Sequence, residues 1–159
     1  MVDHVIGNLL TSNCEYICHQ VNCQGRMGSG IAKQIREKWP EVYEVYSDHC
    51  NGWFSPGDER RQLLGSIDMV HRHDDHTMYI INMYSQQYYG YDGTRYTSYD
   101  AFSDALNEIK NQVPRGSSIG FPHGIGCGLG GGNWQVISAL IEEILGDDYN
   151  VYIYKYYGE

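Results

Sequence analysis

The sequence predicts an α/β sandwich, a central mixed sheet covered by helices on both faces, and three observations carry that expectation. Short apolar or alternating runs suited to strands take turns with segments of helical periodicity. Most connections between strand runs have crossover length, which parallel pairing requires. Two glycine-rich stretches each follow a strand run and open a helical one, and in such sheets ligands sit beyond the carboxyl ends of the strands. At 159 residues the chain is read as one domain, large enough to bury a core without cross-links.

Taken in order, a first strand falls within residues 1–10 and ends at Gly7-Asn8, a polar turn occupies 11–13, and 15–21 forms a short apolar strand. Gly25, Gly28 and Gly30 then precede a helix that carries Ile31, Ala32, Ile35 and Trp39 on one face. Pro40 stops that helix or starts the next, in which Val42, Tyr43, Val45 and Tyr46 continue the apolar period toward Cys50. Residues 51–61 turn to loop composition. Strands at 63–70 and 78–83 flank the polar connector HRHDDHT, whose His71, His73 and His76 read as solvated rather than as metal ligands. A loop covers 84–99, Ser98 caps a helix over 99–112, a strand spans 118–122, a helix 134–145, and a tyrosine-alternating strand 150–156 closes the chain.

The second glycine stretch, FPHGIGCGLGGGNW, places six glycines between Gly124 and Gly132, alternating at first with Ile125, Cys127 and Leu129. Such a loop offers amide N–H groups rather than side chains, and a strand, a glycine loop and a helix start together make an anion cradle. Bulk composition narrows the ligand. A net charge of −9 opposes a long nucleic-acid groove, while a small anion held by amides remains allowed. Five cysteines without a CxxC pair fit neither a disulfide framework nor a standard zinc site, so no metal or cofactor is expected. No segment reads as a membrane span or a signal peptide, and the expected location is cytoplasmic. A GxxxxGK[ST] loop and a GxSxG elbow are absent, and the forced match Gly126-x-Gly128-x-x-Gly131 lacks the acid that a dinucleotide site places after a second strand. What survives is two amide-lined loops able to clasp a diphosphate from both sides.

Four motifs in this order, GNLL (7–10), ICHQVNCQGRMGSGIAKQI (17–35), GFPHGIGCGLGGGNW (120–134) and VYIY (151–154), resemble the macrodomains, ADP-ribose-binding modules. The likeness covers nearly the whole chain and is nearest to the branch of terminal ADP-ribose glycohydrolase and the fungal ADP-ribose-1″-phosphate phosphatase. It implies a three-layer α/β/α sandwich with a mixed six- or seven-stranded sheet. It also implies ADP-ribose or a derivative as ligand, an ADP-ribosylated macromolecule as partner, and no membrane. By the resemblance, Asn8 stands where the family's adenine-contacting aspartate lies, with Leu9 offering a backbone amide, and Asn22 matches the distal-ribose asparagine. Gly28, Ser29, Gly30 and Ile31 match the first phosphate loop. Ile125, Gly126, Cys127, Gly128, Leu129 and Gly130 match the second, and Tyr154 and Tyr156 fall near the adenine.

Two departures bear on catalysis. The glycohydrolase has an aspartate where this chain has Gly130, and a lysine in the region that here reads Ser85-Gln86-Gln87. His19, which the phosphatase branch also carries, remains as the catalytic candidate because an imidazole titrates near neutrality beside the expected distal ribose. Cys23 and Cys127 read as packing residues ahead of nucleophiles. The expected activity is hydrolysis of the distal-ribose 1″ substituent, as an ADP-ribose-1″-phosphate phosphatase or ADP-ribosyl hydrolase. The alternative is a non-catalytic reader or sequestering protein.

Overall fold

The protein is described by a computed structural model over residues 1–52 and 63–156; the loop expected at 51–61 lies, from residue 53 onward, outside that description. Six strands, β1 (Val2–Ile6), β2 (Tyr16–Asn22), β3 (Ile67–Arg72), β4 (Asp75–Gln86), β5 (Ser118–Pro122) and β6 (Asn150–Lys155), form one sheet in the order β1-β6-β5-β2-β4-β3. Every pairing is parallel except the β3/β4 hairpin. The helices among the described residues are α1 (Gly30–Lys38), α2 (Pro40–Gly52), α3 (Tyr99–Gln112) and α4 (Trp134–Leu145), with a 3₁₀ turn at Leu9–Thr11. None of the described helices is long and apolar enough to cross a membrane.

Strand alternation divides the core into two layers. On β2, Cys18 faces a cluster built with Phe102, Leu106, Ile137 and Ile141 of α3 and α4. Ile17 and Val21 face the opposite cluster, with Ile35, Trp39, Val42 and Tyr46 of α1 and α2. The result is the three-layer α/β/α sandwich. β2 and β5 are buried on both faces, which is why they read as nearly continuous apolar runs.

Several boundaries differ from the sequence expectation, among them the far end of β4, which continues to Gln86. Asn51 and Gly52 complete α2 instead of opening a loop. Residues 63–66 form a turn, so β3 begins at Ile67. The connector HRHDDHT shrinks to a turn at His73-Asp74, because β3 and β4 keep pairing through Arg72 and Asp75 despite their polar sequence. β3 is an edge strand, where backbone ladder bonds persist without an apolar pattern. Its His71 packs its ring 4.2 Å from that of Tyr79.

Candidate functional site

The carboxyl ends of β2, β4 and β5 open into a cleft of about 520 Å³. One wall is the β2–α1 connection, with Asn22, Arg26, Gly28, Ser29, Gly30 and Ile31. The facing wall is the β5–α4 loop, with Ile125, Gly126, Gly128, Leu129 and Gly130. The two glycine stretches, separated by about 90 residues of chain, thus meet across one space.

Each wall presents unspent backbone donors. Gly30, Ile31 and Ala32 occupy the first turn of α1, where no intrahelical carbonyl reaches back to their N–H groups, and Ser29 makes no side-chain cap. Opposite, the loop folds on itself through Cys127 N–H to Gly124 O (2.8 Å), Gly131 N–H to Gly128 O (3.0 Å) and Gly132 N–H to Gly126 O (2.8 Å). Among the described residues no bond engages the N–H groups of Gly126, Gly128, Leu129 or Gly130. Gly126 holds φ +75° with Gln20 Oε1 only 2.9 Å from where a Cβ would stand, so glycine is required there. At Gly28 and Gly128 a Cβ would meet nothing within 4 Å, because both face open cleft.

The second loop is pinned by residues that the sequence reading did not single out. The hydroxyl of Thr97 donates to Gly126 O (2.7 Å), while Thr97 N–H and Tyr96 N–H both donate to Gly130 O (3.0 and 2.8 Å). The Gln20 amide donates to Thr97 Oγ1 (2.8 Å) and Gln86 Oε1 (2.6 Å), and its Oε1 accepts from the Ser85 hydroxyl (2.6 Å). No local pattern marks Thr97, since its partners lie in other elements. This packing also accounts for Gly130. A Cβ there would stand 2.5 Å from Thr97 Oγ1 and 2.7 Å from Gly126 O, leaving no room for the aspartate of the glycohydrolases.

Asn22 lines the cleft but spends most of its amide internally. Its Oδ1 accepts from Tyr46 OH (2.8 Å) and Gln24 N–H (2.9 Å), and its Nδ2 donates to Arg26 O (3.0 Å). Tyr46, fully buried on α2, is the hub of that turn. Its hydroxyl also accepts from Gly25 N–H (3.1 Å) and Arg26 N–H (3.0 Å), and burial pushes its pKa far above the ordinary tyrosine value.

His19 does not reach the cleft. It lies three residues before the end of β2, opposite Asn82 of β4, on the face shared by Ile17 and Val21, and it is wholly buried. Asn82 Nδ2 donates to Asp68 Oδ2 (3.1 Å), so Asn82 Oδ1 is the acceptor and His19 Nε2–H the donor across 2.6 Å. Nδ1 is then an enclosed lone pair with no partner among the described residues. Burial lowers the pKa to about 4, against the smaller raising effect of Asn82, and the ring is neutral at pH 7. A direct proton transfer from His19 to a ligand in the cleft therefore has no path in this geometry. Asp68 also accepts from Tyr84 OH (2.6 Å).

The remaining expected positions sit apart. Asn8 and Tyr154 line a second recess of about 410 Å³ on the β1/β6 side. Asn8 Oδ1 caps the 3₁₀ turn through Leu10 N–H (3.0 Å), and the Leu9 side chain is buried against Gly120. Tyr156 is half exposed and lines neither space. Cys127 is half buried in its loop with its thiol raised by desolvation, and Cys23 is fully buried, as packing residues are.

Comparison with known proteins places this geometry. The sequence model of the Macro domain family matches residues 18–141. The ADP-ribose 1″-phosphate phosphatase of Scheffersomyces stipitis is 36% identical over 76 residues, 44% of this chain and 42% of that protein. The DNA ADP-ribosyl glycohydrolase of Thermus aquaticus is 29% identical over 147 residues, 91% of this chain but 38% of the longer protein. The chain thus spans about two fifths of each of these two relatives. In fold it is similar to the macrodomain of Mycobacterium tuberculosis DarG, with a TM-score of 0.73, 23% identity and 97% of each chain covered. With a family match over most of its length and the sheet and paired glycine loops described above, the chain belongs to the macrodomain family.

Proposed function

We propose that the chain binds ADP-ribose or a derivative of it. The diphosphate sits between the first turn of α1 and the 124–130 loop, the adenosine half lies toward Asn8 and Tyr154, and the distal ribose lies at Asn22. The observation that carries this reading is the opposition of two sets of unspent N–H groups across one cleft. Arg26 and His123 are the basic side chains among those lining it, in a chain of net charge −9, so the grip on a dianion comes from amides and the α1 dipole. The names of the relatives, both taken from ADP-ribose chemistry, agree with that ligand.

Calorimetric titration with ADP-ribose tests the reading. Gly128→Glu projects a carboxylate into the cradle at a site with free space and no positive φ. It should leave thermal stability within about 0.5 kcal/mol, as surface substitutions do, and lower affinity at least tenfold. Unchanged affinity in a folded variant sinks the placement of the diphosphate.

A second reading, hydrolysis at the distal 1″ carbon of ADP-ribose-1″-phosphate or an ADP-ribosyl conjugate, is favoured by the activities named for both relatives. The residues that line the cleft include neither a carboxylate nor a lysine, so this geometry supports binding ahead of turnover. In the hydrolytic reading Asn22 orients the ribose and an attacking water, and His19 acts through the register of β2 rather than by touching the substrate. Incubation with ADP-ribose-1″-phosphate and with ADP-ribosylated protein, following phosphate and ADP-ribose release, separates the two readings.

A further inference from the structure

We propose that Thr97, which does not line the cleft, is a positioning residue that holds the 126–130 loop in the orientation offering N–H groups rather than carbonyl oxygens to a diphosphate; this rests on the ADP-ribose reading above. The need for such a device comes from glycine. Without a Cβ, a glycine peptide can turn either its N–H or its C=O toward a ligand, and a carbonyl oxygen facing a phosphate repels it. Gly126, Gly128 and Gly130 give the loop that freedom.

The bonds remove it at both ends. Gly126 O accepts from the Thr97 hydroxyl (2.7 Å) and from Gly132 N–H (2.8 Å), and Gly130 O accepts from Tyr96 N–H (2.8 Å) and Thr97 N–H (3.0 Å). A carbonyl oxygen has two lone pairs, so both acceptors are filled, and reversing either peptide gives up two bonds at once. Between them Gly128 O accepts from Gly131 N–H (3.0 Å). A trans peptide carries its N–H opposite its C=O, which leaves Leu129 N–H on the other side of the loop.

The orientation of the Thr97 hydroxyl is itself forced. Gly126 O can only accept, so Thr97 spends its proton there and takes one from Gln20 Nε2 (2.8 Å). The Gln20 oxygen then faces the Ser85 hydroxyl, which donates across 2.6 Å, and the second Gln20 amide proton goes to Gln86 Oε1 (2.6 Å). Thr97 and Ser85 are both buried, and an unbonded hydroxyl there is costly, so the donors run one way only. The chain is anchored to the sheet, because Thr97 forms an isolated bridge with Gln86 at the end of β4.

The test is Thr97→Val, which keeps the shape and the backbone donors and removes the hydroxyl, beside Thr97→Ser, which retains it. By calorimetry, Thr97→Val should bind ADP-ribose at least about fivefold more weakly, and Thr97→Ser within about twofold of wild type. With saturating ADP-ribose, the amide proton resonances of Gly128 and Gly130 should move downfield in wild type and Thr97→Ser, and clearly less in Thr97→Val. Unchanged affinity in Thr97→Val, a weakened Thr97→Ser, or a weakened Thr97→Val whose bound amides still shift fully overturns the proposal; the last outcome makes Thr97 a packing residue. Should Thr97→Val fail to fold, Ser85→Ala breaks the same chain of donors at its start and should lower affinity at least about twofold, and no change there overturns the proposal as well. Failure of wild type to bind ADP-ribose at all removes the parent reading, and this one with it.

Discussion

Tyr46 shows how one atom can set a site it does not line. Its hydroxyl ties Asn22 to the 25–26 turn, and removing it takes an acceptor from two partly buried N–H groups and a donor from the Asn22 carbonyl. Tyr46→Phe should cost about 1–3 kcal/mol of stability. It should also lower affinity for ADP-ribose severalfold while ADP, which lacks the distal ribose, binds as before. Equal losses for both ligands would reduce Tyr46 to a packing residue. The chain could announce Asn22 through its motif, but Tyr46 read only as a periodic apolar position on a helix face. Its partners lie twenty or more residues away.

At the scale of elements, local signals placed most boundaries. Ser98 was legible as a cap, and its hydroxyl does accept from Ala101 N–H at 3.1 Å. Ser98→Ala should destabilise the protein by about 1 kcal/mol and lower its melting temperature by about 2–4 °C. A shift near zero would mean that the packing of Phe102 and Leu106 sets the helix start alone. Local signals failed where pairing overrides pattern. β4 runs on to Gln86 because β2 continues to pair with it as far as Asn22, past the apolar stretch that marked the strand. The same extension leaves His19 inside the layer while Asn22 reaches the strand end. Its place in the motif suggested proximity to the ribose, whereas the pleat turned it under the sheet.

Across the whole molecule, the buried histidine leaves a signature in the pH dependence of stability. The unfolded chain protonates His19 near the ordinary value of 6.5, but the folded chain does so only at about pH 4. The folded state is therefore favoured fully above pH 6.5 and loses about 3 kcal/mol from this group as pH falls from 6.5 to 4. Denaturant titrations of wild type and His19→Gln should diverge over that window, the variant showing the shallower decline. Parallel curves would mean that the ring is protonated in the fold.

The chain alone determined the layer architecture, the helix starts and the two amide-rich loops, because periodicity, caps and glycine act over a few residues and need no distant partner. It also fixed the absence of the lysine and aspartate pair. The tertiary structure brought the two loops together across one cleft, as expected, and it alone decided that Gly130 has no room for a side chain and that His19 is sealed from solvent. Each of these depends on contacts between segments far apart in sequence, such as Gln20 with Thr97 and His19 with Asn82, which no local pattern encodes.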